Sequence, residues 1–163
     1  MYTLVVYYSF TGRTHYEAKR MAEAVGGELY EVREQKHRSL LSAYLFGPSQ
    51  AKKRRSVVIE PLAVNMDEYD KVIVLCPVWG GYPAPAFNSI VHELCLGQEV
   101  EIYLTSDSGK ARDIRELRRR VELQGVHVTH IGVIKTEDLR KRDRRRMKRM
   151  KAEEKASEGG EEE

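Results

Sequence analysis

The chain has 163 residues, 41% of them hydrophobic and 33% charged, with 28 Lys and Arg against 25 Asp and Glu for a formal charge of +3. One domain with a real core fits these proportions. A chain disordered throughout, a collagen-like repeat and a disulfide-stapled mini-protein are excluded, since only Cys76 and Cys95 are present and neither belongs to a CxxC pair. No apolar run approaches the ~20 residues of a membrane helix, and MYTLVVYYSF lacks the basic flank and cleavage site of a signal peptide. A cytoplasmic protein without a membrane span is the expectation.

The net charge conceals an uneven distribution. Residues 1–134 hold 17 basic and 16 acidic side chains, whereas 140–151 (RKRDRRRMKRMK) hold nine basic and one acidic, and 152–163 return −5. The organisation expected is a near-neutral body over 1–134, followed over 135–163 by a highly charged C-terminal helix and a flexible acidic end.

Along the chain, strands and helices alternate, the pattern of an α/β domain with a mainly parallel sheet. Thr3 to Tyr8 is uncharged and rich in β-branched and aromatic residues, as suits a strand covered on both faces. Ala18, Met21, Ala22 and Val25 recur at helical spacing until Gly26-Gly27 stops the helix. Leu29 to Val32 is a short second strand. Leu40, Leu41, Tyr44 and Leu45 form a helical stripe that Gly47-Pro48 is expected to break, with Lys52-Lys53-Arg54-Arg55 beyond it. Such a segment can mark a membrane surface, but the favoured reading is a helix docked on the sheet and then a solvated turn.

Val72 to Cys76 is a buried-type strand, and Pro83-Ala84-Pro85 opens a helix with Phe87, Ile90, Val91 and Leu94 on one face. Val100 to Leu104 is the fourth strand. Ala111, Ile114, Leu117 and Val121 line a helix ending at Gly125, and Val126 to Ile134 is the fifth strand. The fold class predicted is a three-layer α/β sandwich around a five-stranded parallel sheet.

In such a sheet, ligands bind beyond the carboxyl ends of the strands, and three loops there stand out. The first, Ser9-Phe10-Thr11-Gly12-Arg13-Thr14, combines hydroxyls, a glycine and the free N–H groups of a helix start, which together suit a phosphate. It is neither a Walker loop nor a dinucleotide fingerprint, and the bland alternative is a capped helix start. The second, Pro77-Val78-Trp79-Gly80-Gly81-Tyr82, holds the only Trp, a flat apolar face that is hard to explain as core. The third, Thr105-Ser106-Asp107-Ser108-Gly109, is an ordinary polar turn whose weight comes from its position. The five His show no metal-ligand spacing with Cys or carboxylates, so no metal is assigned. Cys76 reads as a packing residue and Cys95 as a helix-face residue.

YYSFTGRT, YDKVIVLCPVWGGYPAP and YLTSDSG, taken together over residues 2–134, resemble the short-chain flavodoxins. The resemblance implies strand order 2-1-3-4-5 and an FMN cofactor. By position, Ser9, Thr11, Gly12, Arg13 and Thr14 would hold the phosphate, with Phe10 beside them. Pro77, Val78, Trp79, Gly80, Gly81 and Tyr82 would border the flavin, closed on its other side by Thr105, Ser106, Asp107 and Gly109. It implies a one-electron carrier between redox partner proteins, with a peptide flip at Gly80-Gly81 answering protonation of the flavin. The rival enzyme is an NAD(P)H-dependent flavin or quinone-type oxidoreductase, and a third reading is a flavin-free interaction module with a basic nucleic-acid-binding tail.

Three departures from the family, and one further feature of the tail, stand out. Gly80 replaces a second Trp that relatives often carry, leaving Tyr82 or Phe10 to form the other side of a sandwich. Thr136 to Ala156 offers only Leu139, Met147 and Met150 for a fifth helix, which invites a homodimer through the uncovered face. The basic residues of 140–151 invite nucleic acid or an anionic surface, although a solvated helix is favoured. Finally, flavodoxins are usually strongly acidic, whereas this body is near neutral. The second electron should therefore enter at a less negative potential than is usual for that family, and redox titration of the FMN-loaded protein checks this.

Overall fold

The computed structural model describes residues 1–136 and, beyond them, Lys141, Arg145, Lys148, Arg149 and Ala152, which are helical and exposed. The expectations placed on Leu139, Met147 and Met150 lie outside the described residues. The element order is β1 (Thr3–Tyr7), α1 (Arg13–Val25), β2 (Glu28–Glu31), α2 (Leu40–Lys52), a 3-10 turn (Met66–Glu68), β3 (Lys71–Trp79), β4 (Tyr82–Pro83), α3 (Pro85–His92), β5 (Glu99–Ser106), α4 (Ile114–Glu122) and β6 (His127–Lys135).

The long strands lie in the order β2-β1-β3-β5-β6 and every neighbouring pair is parallel. This is the expected 2-1-3-4-5 arrangement, with β4 added as an antiparallel hairpin on the end of β3. Because side chains alternate across a strand, β1 and β3 each feed two layers. Leu4, Val6, Val72, Val74, Val100, Ile102 and Leu104 pack with Phe87 and Ile90 of α3 and Val121 of α4. Val5, Tyr7, Ile73 and Leu75 pack with Ala18 and Ala22 of α1. Each such Val, Leu or Ile contributes about 1.5–3 kcal/mol by leaving water.

Helix α1 begins after Gly12 at φ +89° and stops at Gly26, whose φ of +65° is the left-handed cap that ends a helix; its N–H donates to the Ala22 carbonyl. Helix α2 corrects the sequence reading. It continues through Pro48 to Lys52, and it docks by the small residues Ala43, Gly47 and Ala51, not by the Leu40 to Leu45 stripe, which faces solvent. A proline inside a helix costs about 3 kcal/mol. Here Gly47 and Pro48 lie against Trp79 and Gly80 of the β3–β4 hairpin, and that packing holds the helix together.

The sheet face beside α1 becomes polar over β5 and β6. Lys71 Nζ lies 2.5 Å from Glu101 Oε1 and 3.2 Å from Glu99 Oε1. The Tyr103 hydroxyl donates to the other Glu101 oxygen at 2.9 Å, and the His130 ring lies 5.2 Å from that of Tyr103. An apolar helix would strand these charges, so this face does not call for apolar cover. Burial alone would raise the Glu101 carboxyl, but the hydrogen bonds from Lys71 and Tyr103 outweigh it and hold the group below its usual range. The bond to Glu101 holds Lys71 above the usual lysine range.

The lowered Glu101 contributes stability that is full above the unfolded glutamate value and lost as pH falls through its folded value. The raised Lys71 contributes stability that is full below the unfolded lysine value and lost as pH rises through its own. The cluster is therefore at full strength between about pH 4.3 and 10.4. Lys71→Met should lower unfolding free energy by about 2 kcal/mol near neutral pH. Denaturant melts should find that deficit shrinking as pH falls below the unfolded glutamate value of about 4.3 and through the lower folded value of Glu101.

Candidate functional site

Parallel pairing delivers the carboxyl ends of β1, β3, β5 and β6 to one edge, through partners Tyr7 and Leu75, Pro77 and Thr105, and Thr105 and Ile134. There the three loops enclose a cavity of about 360 Å³, the size of a small-molecule cleft. It is lined by Phe10, Thr11, Arg13, Thr14, Pro77, Val78, Trp79, Gly80, Gly81, Thr105, Ser106, Asp107, Ser108, Lys110 and Thr136.

One end is polar. The Ser9 hydroxyl accepts from the Gly12 N–H at 3.1 Å and shapes the turn that Gly12 makes with its positive φ. The Gly12 carbonyl accepts from the Tyr16 N–H at 3.2 Å. Among the described residues, the backbone N–H groups of Arg13, Thr14 and His15 in the first turn of α1 have no hydrogen-bond partner. The Thr14 and Thr105 hydroxyls meet at 2.8 Å and tie α1 to β5. Arg13 donates to Asp107 Oδ1 at 2.6 Å, and the Thr136 hydroxyl donates to the same oxygen at 2.5 Å. Ser106 donates to the Lys110 carbonyl at 2.9 Å and lies 3.1 Å from the Ser108 hydroxyl. The Tyr7 hydroxyl is hydrogen-bonded to His15 Nδ1 below α1, and burial pushes the phenol up to about 12.

The other end is aromatic. β3 runs on to Trp79, which pairs with Tyr82 across a two-residue turn. Gly80 and Gly81 have φ of +62° and +96°, the left-handed pair that a tight hairpin of type I′ requires. The Arg112 N–H holds the Gly81 carbonyl at 2.7 Å. The Trp79 ring is wedged. Phe10 and Tyr8 meet it edge-on, with ring centroids 5.8 and 6.1 Å away. A Cβ on Gly47 would lie 2.8 Å from its Cε3. The Arg38 guanidinium carbon stands 5.5 Å from the ring centroid, in cation–π range. Arg38 Nε donates to both Glu34 oxygens, at 2.9 and 2.8 Å, with the two side chains 10% and 8% exposed. Burial and the Glu34 carboxylate push the Tyr8 phenol far above its usual value.

Twelve of the sixteen residues expected from sequence therefore line one cavity. The other four stand in the same loops but off its wall: Ser9 and Gly12 build the first turn, Tyr82 donates to Asp113 at 3.3 Å, and Gly109 backs onto Lys135. Ser108 of the third loop lines it too, while Lys110 and Thr136 line it unanticipated. Of these, Thr136 had no local signal, since it reaches the site only through the register of β6 with β5, where Lys135 pairs with Ser106.

Cys95 lies in the loop after α3, not on the helix face expected. Its Asp67 neighbour and burial push the thiol up to about 11, and burial pushes Cys76 higher still, so neither is a thiolate near neutral pH. Among the described residues, no group of three or more His, Cys, Asp or Glu is placed to hold a metal, and no helix is long and apolar enough to cross a membrane.

No protein-family model and no curated protein matches the chain. Solved structures do. The flavoprotein of Lactobacillus acidophilus NCFM in complex with FMN is 21% identical over 85% of this chain and 97% of that one, with a TM-score of 0.68. The apo form of the same flavoprotein is 21% identical over 81% and 91%, at 0.63. Two-electron reduced flavodoxin of Megasphaera elsdenii is 16% identical over 82% and 86%, at 0.50. The chain has a flavodoxin-like fold.

In this flavodoxin-like chain, unpartnered N–H groups and hydroxyls lie at one end of the cavity and a fixed aromatic wall at the other. That donor set suits a ligand with an anionic group joined to a flat apolar ring. Gly47→Ala tests the wedge. Helix propensity alone would favour alanine by about 1 kcal/mol, but the methyl must displace Trp79, an overpacking cost of about 1–3 kcal/mol. Thermal melts should therefore find the variant no more stable than wild type, the reverse of the result at an open helix glycine.

Proposed function

We propose that the cavity holds FMN and that the protein carries electrons, one at a time, between redox proteins. The observation that carries this reading is the pairing of Arg13 and Thr14, whose N–H groups are unpartnered, with the Trp79 and Phe10 wall of one cavity. A phosphate accepts from the first, helped by about half a unit of positive charge from the helix end. A tricyclic ring packs on the second. The fold shared with a flavoprotein solved in complex with FMN adds support.

When bound, the flavin supplies one- and two-electron redox chemistry. The chain's own residues supply the rest. The hydroxyls of Thr11 and Thr14 stand beside the α1 start to orient the phosphate. Asp107 neutralises the Arg13 guanidinium and ties it to Thr136, which fixes the third loop against the first. Arg112 holds the Gly81 carbonyl, so a flip of the Gly80–Gly81 peptide moves the Gly80 carbonyl and the Gly81 N–H while the flanking hairpin stays in place. Val78 and Pro77 keep water from the inner edge.

The purified protein, loaded with FMN, should show bound-flavin absorbance bands, and a titration followed by absorbance should saturate at one FMN per chain. Trp79→Ala should weaken FMN binding by roughly 10-fold to 100-fold, the loss of one aromatic face. A colourless protein that refuses added FMN defeats the proposal. Sustained NAD(P)H oxidation by the loaded form would select the reductase instead of the carrier.

A further inference from the structure

The stripe expected to dock on the sheet instead faces outward. Leu40, Leu41, Tyr44, Leu45 and Phe46 of α2 are all exposed, Leu40 at 76% and Tyr44 at 81%. Soluble monomers rarely gather this much bare apolar surface in one place. Between the helix and the β3–β4 hairpin runs a groove of about 940 Å³, which reaches Phe10, Val78 and Trp79 on the rim of the cavity.

The charge around this patch is one-sided. No acidic residue occurs between Glu34 and Glu60, while Lys36, Arg38, Lys52, Lys53, Arg54 and Arg55 fall within that span. Arg38 is paired with Glu34, and Arg54 reaches Asp113 and Glu116. Among the described residues, Lys36, Lys52, Lys53 and Arg55 enter no ion pair, and all four are exposed. Lys52 shares one exposed side of α2 with Leu41 and Leu45, which stand at helical spacing from it. Free cations thus stand at both ends of a bare apolar helix.

We infer that α2 docks on an anionic lipid surface, its apolar side chains entering the headgroup boundary and its flanking lysines meeting lipid phosphates. This is the arrangement of an interfacial helix, which lies in the plane of the membrane without spanning it. A two-fold contact with a second copy would bring the same unpaired lysines against each other, and nucleic acid offers nothing to Leu41, Leu45 or Phe46. The docking does not depend on what the cavity holds. It would turn the Trp79 side of the cavity toward the lipid, because groove and cavity share that ring.

Flotation of the full chain with vesicles tests the inference. Vesicles of phosphatidylcholine mixed with phosphatidylglycerol should carry the protein up the gradient, and phosphatidylcholine alone should bind at least about tenfold more weakly. Leu41→Ser with Leu45→Ser should cut binding to the mixed vesicles by at least about tenfold, and both positions are exposed, so the fold is kept. Lys52→Gln with Lys53→Gln, which removes two charges and no packing, should cut it by roughly 20-fold. Failure of wild type to float overturns the inference. So does flotation unchanged in the Leu41/Leu45 variant, which would assign binding to the basic residues of 140–151. A wild-type dimer in light scattering that the same variant turns into a monomer would give the face to a second copy and overturn it equally.

Discussion

Parallel hydrogen bonding between β1 and β3 is the constraint from which the rest follows. Parallel neighbours must run the same way, so their carboxyl ends stop at one edge, and each return connection must cross the sheet as a helix or long loop. Leu4, Val5, Val6, Val72, Ile73 and Val74 fill both faces of the middle of this pair with fully buried apolar side chains. Three loops separated by about seventy and thirty residues in sequence are thereby brought around one cavity. The Arg13, Asp107 and Thr136 contacts then fix the first and third loops against one another.

The sheet was legible because its strands carry a period and a composition that few other structures tolerate. TLVVY and VIVLC admit hardly any reading but doubly covered strands. The loops were legible because topology gives strand ends a meaning that residue identity alone does not. What escaped is instructive. Thr136 sits in a charged stretch with no motif, and its place at the cavity follows from a bulge in the β5–β6 register between Val100 and Glu101. Helix α2 was misread twice for one reason. Periodicity assumes that large apolar side chains face the core, whereas here close approach to the hairpin requires the small residues inward, and Pro48 survives because of what it touches.

The two faces of the sheet differ in kind. Under α3 and α4 the core is continuous and apolar. Beside α1 it narrows, among the described residues, to six buried ones and gives way to Lys71, Glu99, Glu101 and Tyr103. A buried ion pair adds little net stability over an apolar filling, but breaking one partner is costly. The polar half of this face thus restricts what can cover it: long basic side chains, with apolar stems and charged ends, match Glu99 and Glu101 where leucines would not.

The wedge that immobilises Trp79 also makes the protein its own optical probe. The chain has a single indole, and it stands in the wall of the cavity with the largely covered Arg38 guanidinium beside it. Its emission therefore comes from one environment, without the averaging that several tryptophans impose. A planar chromophore arriving in the cavity would quench that emission at contact distance, and a change on the α2 side would shift its colour through Arg38. One unlabelled signal thus separates filling of the cavity from events at the groove behind it.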